Sequence, residues 1–158
     1  RLPLTELRSD HTRVIARLLR SEGRGAEALA QWIRYERGSR RSRSTGDLPS
    51  WWARLAMRAR IYSAAGHHCR AVRTMRKALD VFAGRERPRW IEVLARKTQF
   101  AEILRLAGKH VEARAQIEEA LAVGSKFFGT SHPALADAFV ERGEIAGALG
   151  EIEIARAD

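Results

Sequence analysis

Cysteine is almost absent from the sequence: Cys69 stands alone, so no internal disulfide framework can form. Proline is nearly as scarce, and its four copies, Pro3, Pro49, Pro88 and Pro133, all stand where apolar-periodic segments begin. That placement suits helix starts, where the missing N–H costs nothing. No apolar run approaches the roughly 20 residues needed to cross a bilayer, and residues 1–30 are charged throughout, which excludes a signal-peptide pattern there. Also missing are a nucleophile–base pair, a phosphate-binding loop and a paired-carboxylate motif, so the sequence offers no case for an enzyme and no cofactor is expected. His67, His68 and Cys69 are consecutive, point in different directions and have no second ligand cluster, which argues against a metal site. The chain begins at Arg1 without a methionine, and the expectation is that residues were removed upstream, together with any targeting segment.

What is present is apolar residue and arginine. An apolar share of 45% beside a charged share of 30% places the chain in the globular range. Arginine supplies 25 of the 29 basic residues. The charge is uneven: residues 1–90 carry 21 Lys+Arg against 8 Asp+Glu, a net of +13, whereas residues 91–158 net −3. Arginine suits bidentate contacts to phosphate and carboxylate, so the first half reads as facing a polyanion or an acidic partner. An arginine-rich genome would give the same excess without any function attached to it.

Internal repetition is the strongest signal. Gly66, Gly108 and Gly150 are spaced 42 residues apart, and each is followed five residues later by Ala71, Ala113 or Ala155. Seven residues before each glycine stands a small residue (Ala59, Ala101, Gly143), and four before it Tyr62, Leu104 or Ala146. Ala78-Leu79 and Ala120-Leu121 extend the register, and Ala16, Leu19, Gly23, Ala28 and Trp32 form a divergent earlier copy. Small residues at matched positions let two antiparallel helices approach closely, and glycine ends the first helix and permits the turn. One such hairpin cannot bury its apolar face alone, so hairpins must stack.

This small–x₂–Tyr/Leu–x₃–Gly–x₄–Ala–x₆–Ala-Leu pattern resembles the tetratricopeptide repeat. The 42-residue spacing, and Gly129 followed by His132-Pro133 between repeats, resemble its longer, kinesin-light-chain-like variety. The resemblance covers roughly residues 5–157. It implies an all-α fold: a single solenoid of about four antiparallel helix–turn–helix repeats in a right-handed superhelix, over residues 4–37, 49–83, 88–127 and 133–158, the last incomplete. The helices are expected at about 4–21, 26–37, 49–65, 68–83, 88–107, 110–127, 133–148 and 151–157, with Asp47 or Pro49 starting the third and Ser131 capping the seventh. The segment 38–48, rich in arginine and serine, reads as a flexible exposed loop.

In repeats of this kind the first helix of each hairpin lines the concave face. That assigns Arg13, Arg17 and Arg20 to a partner-binding groove, then Arg60 with Ser63, then Thr98, Glu102 and Arg105, and finally Asp137, Val140 and Glu144. The groove would run from positive to negative. Peptide-binding members of the family often carry an asparagine that grips a peptide backbone; the matching positions here are Val14, Met57, Gln99 and Glu141. The lysine and asparagine clamp for chaperone C-termini is missing too, so a chaperone adaptor role is not expected. Trp32 reads as core; Trp51 and Trp52 cannot share one helix face.

The function expected is therefore a protein–protein interaction module or scaffold subunit, its partner carrying an acidic segment. One alternative is a component of a ribonucleoprotein or other large complex, with Arg40, Arg41 and Arg43 on RNA phosphate. Another is a regulatory domain sensing a peptide or small molecule in the groove. An intracellular location, in a bacterial cytoplasm or an organelle, is expected without membrane insertion. The uncapped last repeat implies either a longer natural chain or a dimer contact at that end.

Overall fold

The computed structural model describes residues 22–30, 32–33, 51–84 and 89–151, with the side chains of Trp51 and Trp52 left aside. Every regular element among them is helical: residues 25–30 with 32–33, then α1 (Trp51–Ala64), α2 (His68–Ala83), α3 (Trp90–Leu106), α4 (His110–Phe128), a 3₁₀ turn (Pro133–Leu135) and α5 (Ala136–Leu149). The chain divides into two compact units, Arg1–Val81 and Phe82–Asp158. The first expected helix (4–21), the 38–48 loop, the Asp47 and Pro49 helix start, and the last helix (151–157, save Glu151) lie outside the described residues.

The glycine spacing has a common physical cause. Gly66, Gly108 and Gly150 have φ of 78°, 75° and 79°, the left-handed region that a side chain resists. Each sits in the same double hydrogen bond. His67 N–H donates to the Tyr62 carbonyl at 2.8 Å, Lys109 to Leu104 at 2.9 Å and Glu151 to Ala146 at 2.9 Å. The glycines' own N–H groups donate to Ser63, Arg105 and Gly147. This Schellman arrangement satisfies the carbonyls that a helix end leaves without partners. In the first two copies the next helix starts at once, with Ala71 N–H on the His67 carbonyl and Ala113 N–H on that of Lys109.

In the first unit Ala28, Trp32 and Ile61 form a buried cluster with Leu29 and Met57 packed against it, which places Trp32 in the core at 3% exposure. Gly25 allows the helical segment that it starts to press on the end of α1: a Cβ there would lie 1.9 Å from the Ala64 carbonyl oxygen. In the second unit α4 packs on both α3 and α5, and α3 also meets α5. Ala101, Ala113, Ile117, Ala120, Leu135 and Ala138 are fully buried there. The alanines of the repeat register are thus contact points where helix backbones come close.

One cap differs from expectation. The helix that follows α4 is started by His132, not Ser131: the His132 Nδ1 accepts from the Ala134 N–H at 3.1 Å, and Pro133 holds the first position of a 3₁₀ turn. The α-helix proper begins only at Ala136. Proline fixes the backbone one residue beyond the imidazole, so the ring reaches the free N–H two residues on.

Candidate functional site

Within the second unit, the face shared by α3 and α5 gathers four charged side chains. Arg105, near the end of α3, donates through Nε to Glu141 Oε1 on α5 at 2.7 Å, and its Nη2 reaches Glu141 Oε2 at 3.5 Å. The same Nη2 donates to Glu144, one turn further along α5. Glu141 is 1% exposed and Glu102 on α3 is 8% exposed.

Glu141 and Arg105 meet where water is largely excluded, with Glu102 and the more exposed Glu144 nearby. Burial therefore pushes the Glu141 carboxyl up to about 7 from its ordinary 4.5, Glu102 and Glu144 add to the rise, and Arg105 works against it. For Arg105 burial opposes the charge, but the hydrogen bond to Glu141 and the fields of Glu141, Glu144 and Glu102 outweigh it and raise the guanidinium pKa.

The expected groove residues fare differently. Arg105 and Glu144 are brought together, and Glu144, Val140 (49% exposed) and Asp137 lie outward on α5. Arg60 and Ser63 on α1 are buried, at 7% and 5% exposure. Thr98 is buried as well, its hydroxyl donating to the Leu94 carbonyl one turn back at 2.9 Å. Arg13, Arg17, Arg20, Arg40, Arg41 and Arg43 lie outside the described residues. Glu141, which the groove mapping passed over, is the centre of the cluster. It falls 42 residues after Gln99, itself buried and accepting from Arg96 Nη1 at 2.6 Å. A carboxylate at a position that the register marks as inward was the available signal.

A second feature lies where α3 begins and α4 ends. Trp90 stacks on Phe127 with ring centroids 4.1 Å apart and planes 12° apart, yet the two stay 45% and 43% exposed. Lys126 Nζ lies 5.8 Å from the Phe127 centroid, and Arg89 precedes Trp90 on the surface. Among the described residues no group of three or more His, Cys, Asp or Glu could hold a metal ion, and no helix is long and apolar enough to cross a membrane.

Comparison with known proteins agrees with this geometry. Residues 93–157 match the tetratricopeptide repeat family model. The fold is that of the solved TPR-like repeats of a Podosopora anserina kinesin light chain, with a TM-score of 0.63 and 23% identity over 97% of this chain and 75% of that one. No curated protein matches the sequence. The recurrent glycine turns and the buried alanine contacts agree with the match over α3 to α5 to a repeat family that generally mediates protein–protein interaction and is typically non-catalytic.

Proposed function

We propose that the chain is a single repeat array with no catalytic activity of its own, serving as an interaction module or scaffold subunit that docks a protein partner. The observation that supports this most is the outward face of α5. Asp137, Val140 and Glu144 stand in a row at helical spacing, and Arg105 braces Glu144 from α3. An apolar side chain between two acids, held on a rigid helix, is a surface that a partner can recognise without reorganising it. Thr98 and Glu102, being buried, support this face more than they touch a partner, whereas Arg105 and Glu144 meet it directly.

The test is affinity purification of the tagged chain from its native source, with and without nuclease, beside a Val140→Arg variant. Val140 is half exposed, so the variant folds. A defined set of proteins that survives nuclease and is lost with Val140→Arg supports the reading; a set that Val140→Arg retains refutes the docking face.

A second reading has its own observation. The +13 charge of residues 1–90, with the exposed Trp90–Phe127 stack between Arg89 and Lys126, suits an RNA-contacting subunit of a larger complex. Partners that disappear on nuclease treatment favour it. About five phosphate contacts to single-stranded RNA would give a log–log salt slope near −3.5.

A further inference from the structure

We propose that Arg70, Arg73 and Lys77, on the outward face of α2, form a docking strip for an acidic helix of a partner protein. The inference rests on the reading of the chain as a protein-docking module, and adds to it a face separate from that of α5.

The buried side chains of α2, Ala71, Val72, Met75, Ala78 and Phe82, occupy one side of the helix. On the other side Arg70, Arg73 and Lys77 follow at spacings of three and four, all exposed, and Asp80 is the only acid of the helix. None of the three makes an ion pair with a described residue. The matched positions on α4, 42 residues further on, are Glu112, Ala115 and Glu119. There the charge is of opposite sign and serves the fold itself: Glu112 pairs with Lys109, and Glu119 with Lys97 at 2.7 Å. An arginine-rich genome would raise basic residues in every copy of the repeat, and does not account for this reversal. The order of charge along α2 also runs against its dipole, which favours acids at the start of a helix and bases at its end. Its first turn holds no acid and its last turn no base, and Arg70 stands near the start. Charges that weaken their own helix and find no partner within the fold are accounted for by an anionic surface outside it.

The spacing selects the kind of anion. Arg70 and Lys77 are two turns apart, about 10.5 Å along the axis, and acids seven residues apart on a second helix are separated by the same rise. A row of carboxylates at i, i+3 and i+7 therefore meets all three cations at once. Single-stranded RNA, by contrast, is held by bases stacked on exposed aromatic rings, and Phe82, the one Phe, Tyr or Trp of α2, is buried.

Fluorescence anisotropy on the full chain at low salt tests the strip with three labelled probes. The first is a helix-forming peptide with glutamates in a row on one face, the second has the same glutamates scattered around the helix, and the third is a single-stranded RNA of equal net charge. The aligned peptide is expected to bind about tenfold more tightly than the scattered one, as three exposed ion pairs allow. That advantage should vanish in the triple variant Arg70→Gln, Arg73→Gln, Lys77→Gln. The three side chains are exposed, so the variant keeps the wild-type melting temperature. Val140→Arg should leave the affinity for the aligned peptide unchanged, which separates a failure of the strip from a failure of the α5 face. No difference between the two peptides, or a difference that survives the triple substitution, overturns the proposal. RNA that binds more tightly than the aligned peptide, and is lost in the triple variant, overturns it too and makes the strip a nucleic-acid surface.

Discussion

Gly124 lies so close to Leu135 that a Cβ on it would come within 2.4 Å of the Leu135 Cδ2 and 3.2 Å of the Leu94 Cδ1. The contact joins α4 to the turn that leads into α5 and to α3, so one absent methyl group sets how closely three elements meet.

Gly124→Ala adds helix propensity worth about 1 kcal/mol. It also forces Leu135, fully buried, and Leu94, 2% exposed, to move within a filled core, and such overpacking costs about 1–3 kcal/mol. A net loss of about 1 kcal/mol is expected. Gly147 on α5 has nothing within 4 Å of its would-be Cβ, so Gly147→Ala gains about 0.5–1 kcal/mol. Urea unfolding of the two variants beside the wild type should show midpoints moving in opposite directions.

The repeat register makes a similar prediction at its turns. Gly108 has φ of 75°, and a substituted Cβ meets no neighbour there. Any loss in Gly108→Ala therefore comes from the backbone, about 1–2 kcal/mol for a left-handed residue with a side chain. Gly108→Asn should lose less, because asparagine tolerates that region. Thermal melts that rank wild type above the asparagine variant and that above the alanine variant bear this out. Ala113, fully buried just after the turn, should lose about 1–3 kcal/mol as Ala113→Leu.

These positions were legible because each answers to a local cause that repeats every 42 residues. A left-handed turn needs glycine, and a close helix crossing needs alanine, wherever in the chain they fall. The α2 boundaries, His68–Ala83, follow from those marks. The charged cluster obeys no such rule. Arg105 and Glu141 are 36 residues apart, and that offset depends on how far α5 slides along α3, which side-chain packing decides. The burial of Arg60, Thr98 and Glu102 was hidden for the same reason: a polar residue on an amphipathic helix reads as solvated until the neighbouring element is placed. Ser131 and His132 are adjacent acceptors, and which of them caps depends on the backbone set by Pro133.

The Trp90–Phe127 stack predicts a measurable coupling. The rings lie 4.1 Å apart and nearly parallel, an arrangement worth about 0.5–1.5 kcal/mol beyond the area it covers. A double-mutant cycle of Trp90→Ala and Phe127→Ala on urea unfolding should return a coupling of that size. A coupling near zero would mean that the rings are held by their helices and not by each other. Binding of short single-stranded RNA by Trp90→Ala and the wild type separates the second functional reading from the first, since only a base platform loses affinity with the indole.

Arg105→Ala should destabilise the chain by an amount that depends on pH. At pH 8.5 the wild type holds Glu141 ionised beside Arg105, and without that guanidinium the fold must either bury an unpaired carboxylate or take up a proton, at a cost of up to about 3–5 kcal/mol. Arg105 acts to lower the Glu141 pKa, so without it the folded carboxyl keeps its proton to still higher pH. A group whose folded pKa exceeds its unfolded value is most favourable to folding below the unfolded pKa, here 4.5, and loses that contribution as pH rises through the folded pKa. At pH 5.5 Glu141 is neutral in the fold with or without Arg105, and the variant loses hydrogen bonds and packing but strands no charge there. The gap between wild type and Arg105→Ala in urea midpoint should therefore widen from pH 5.5 to 8.5. A gap of constant size would show that Glu141 is ionised across the whole range and that its pairing with Arg105 outweighs its burial.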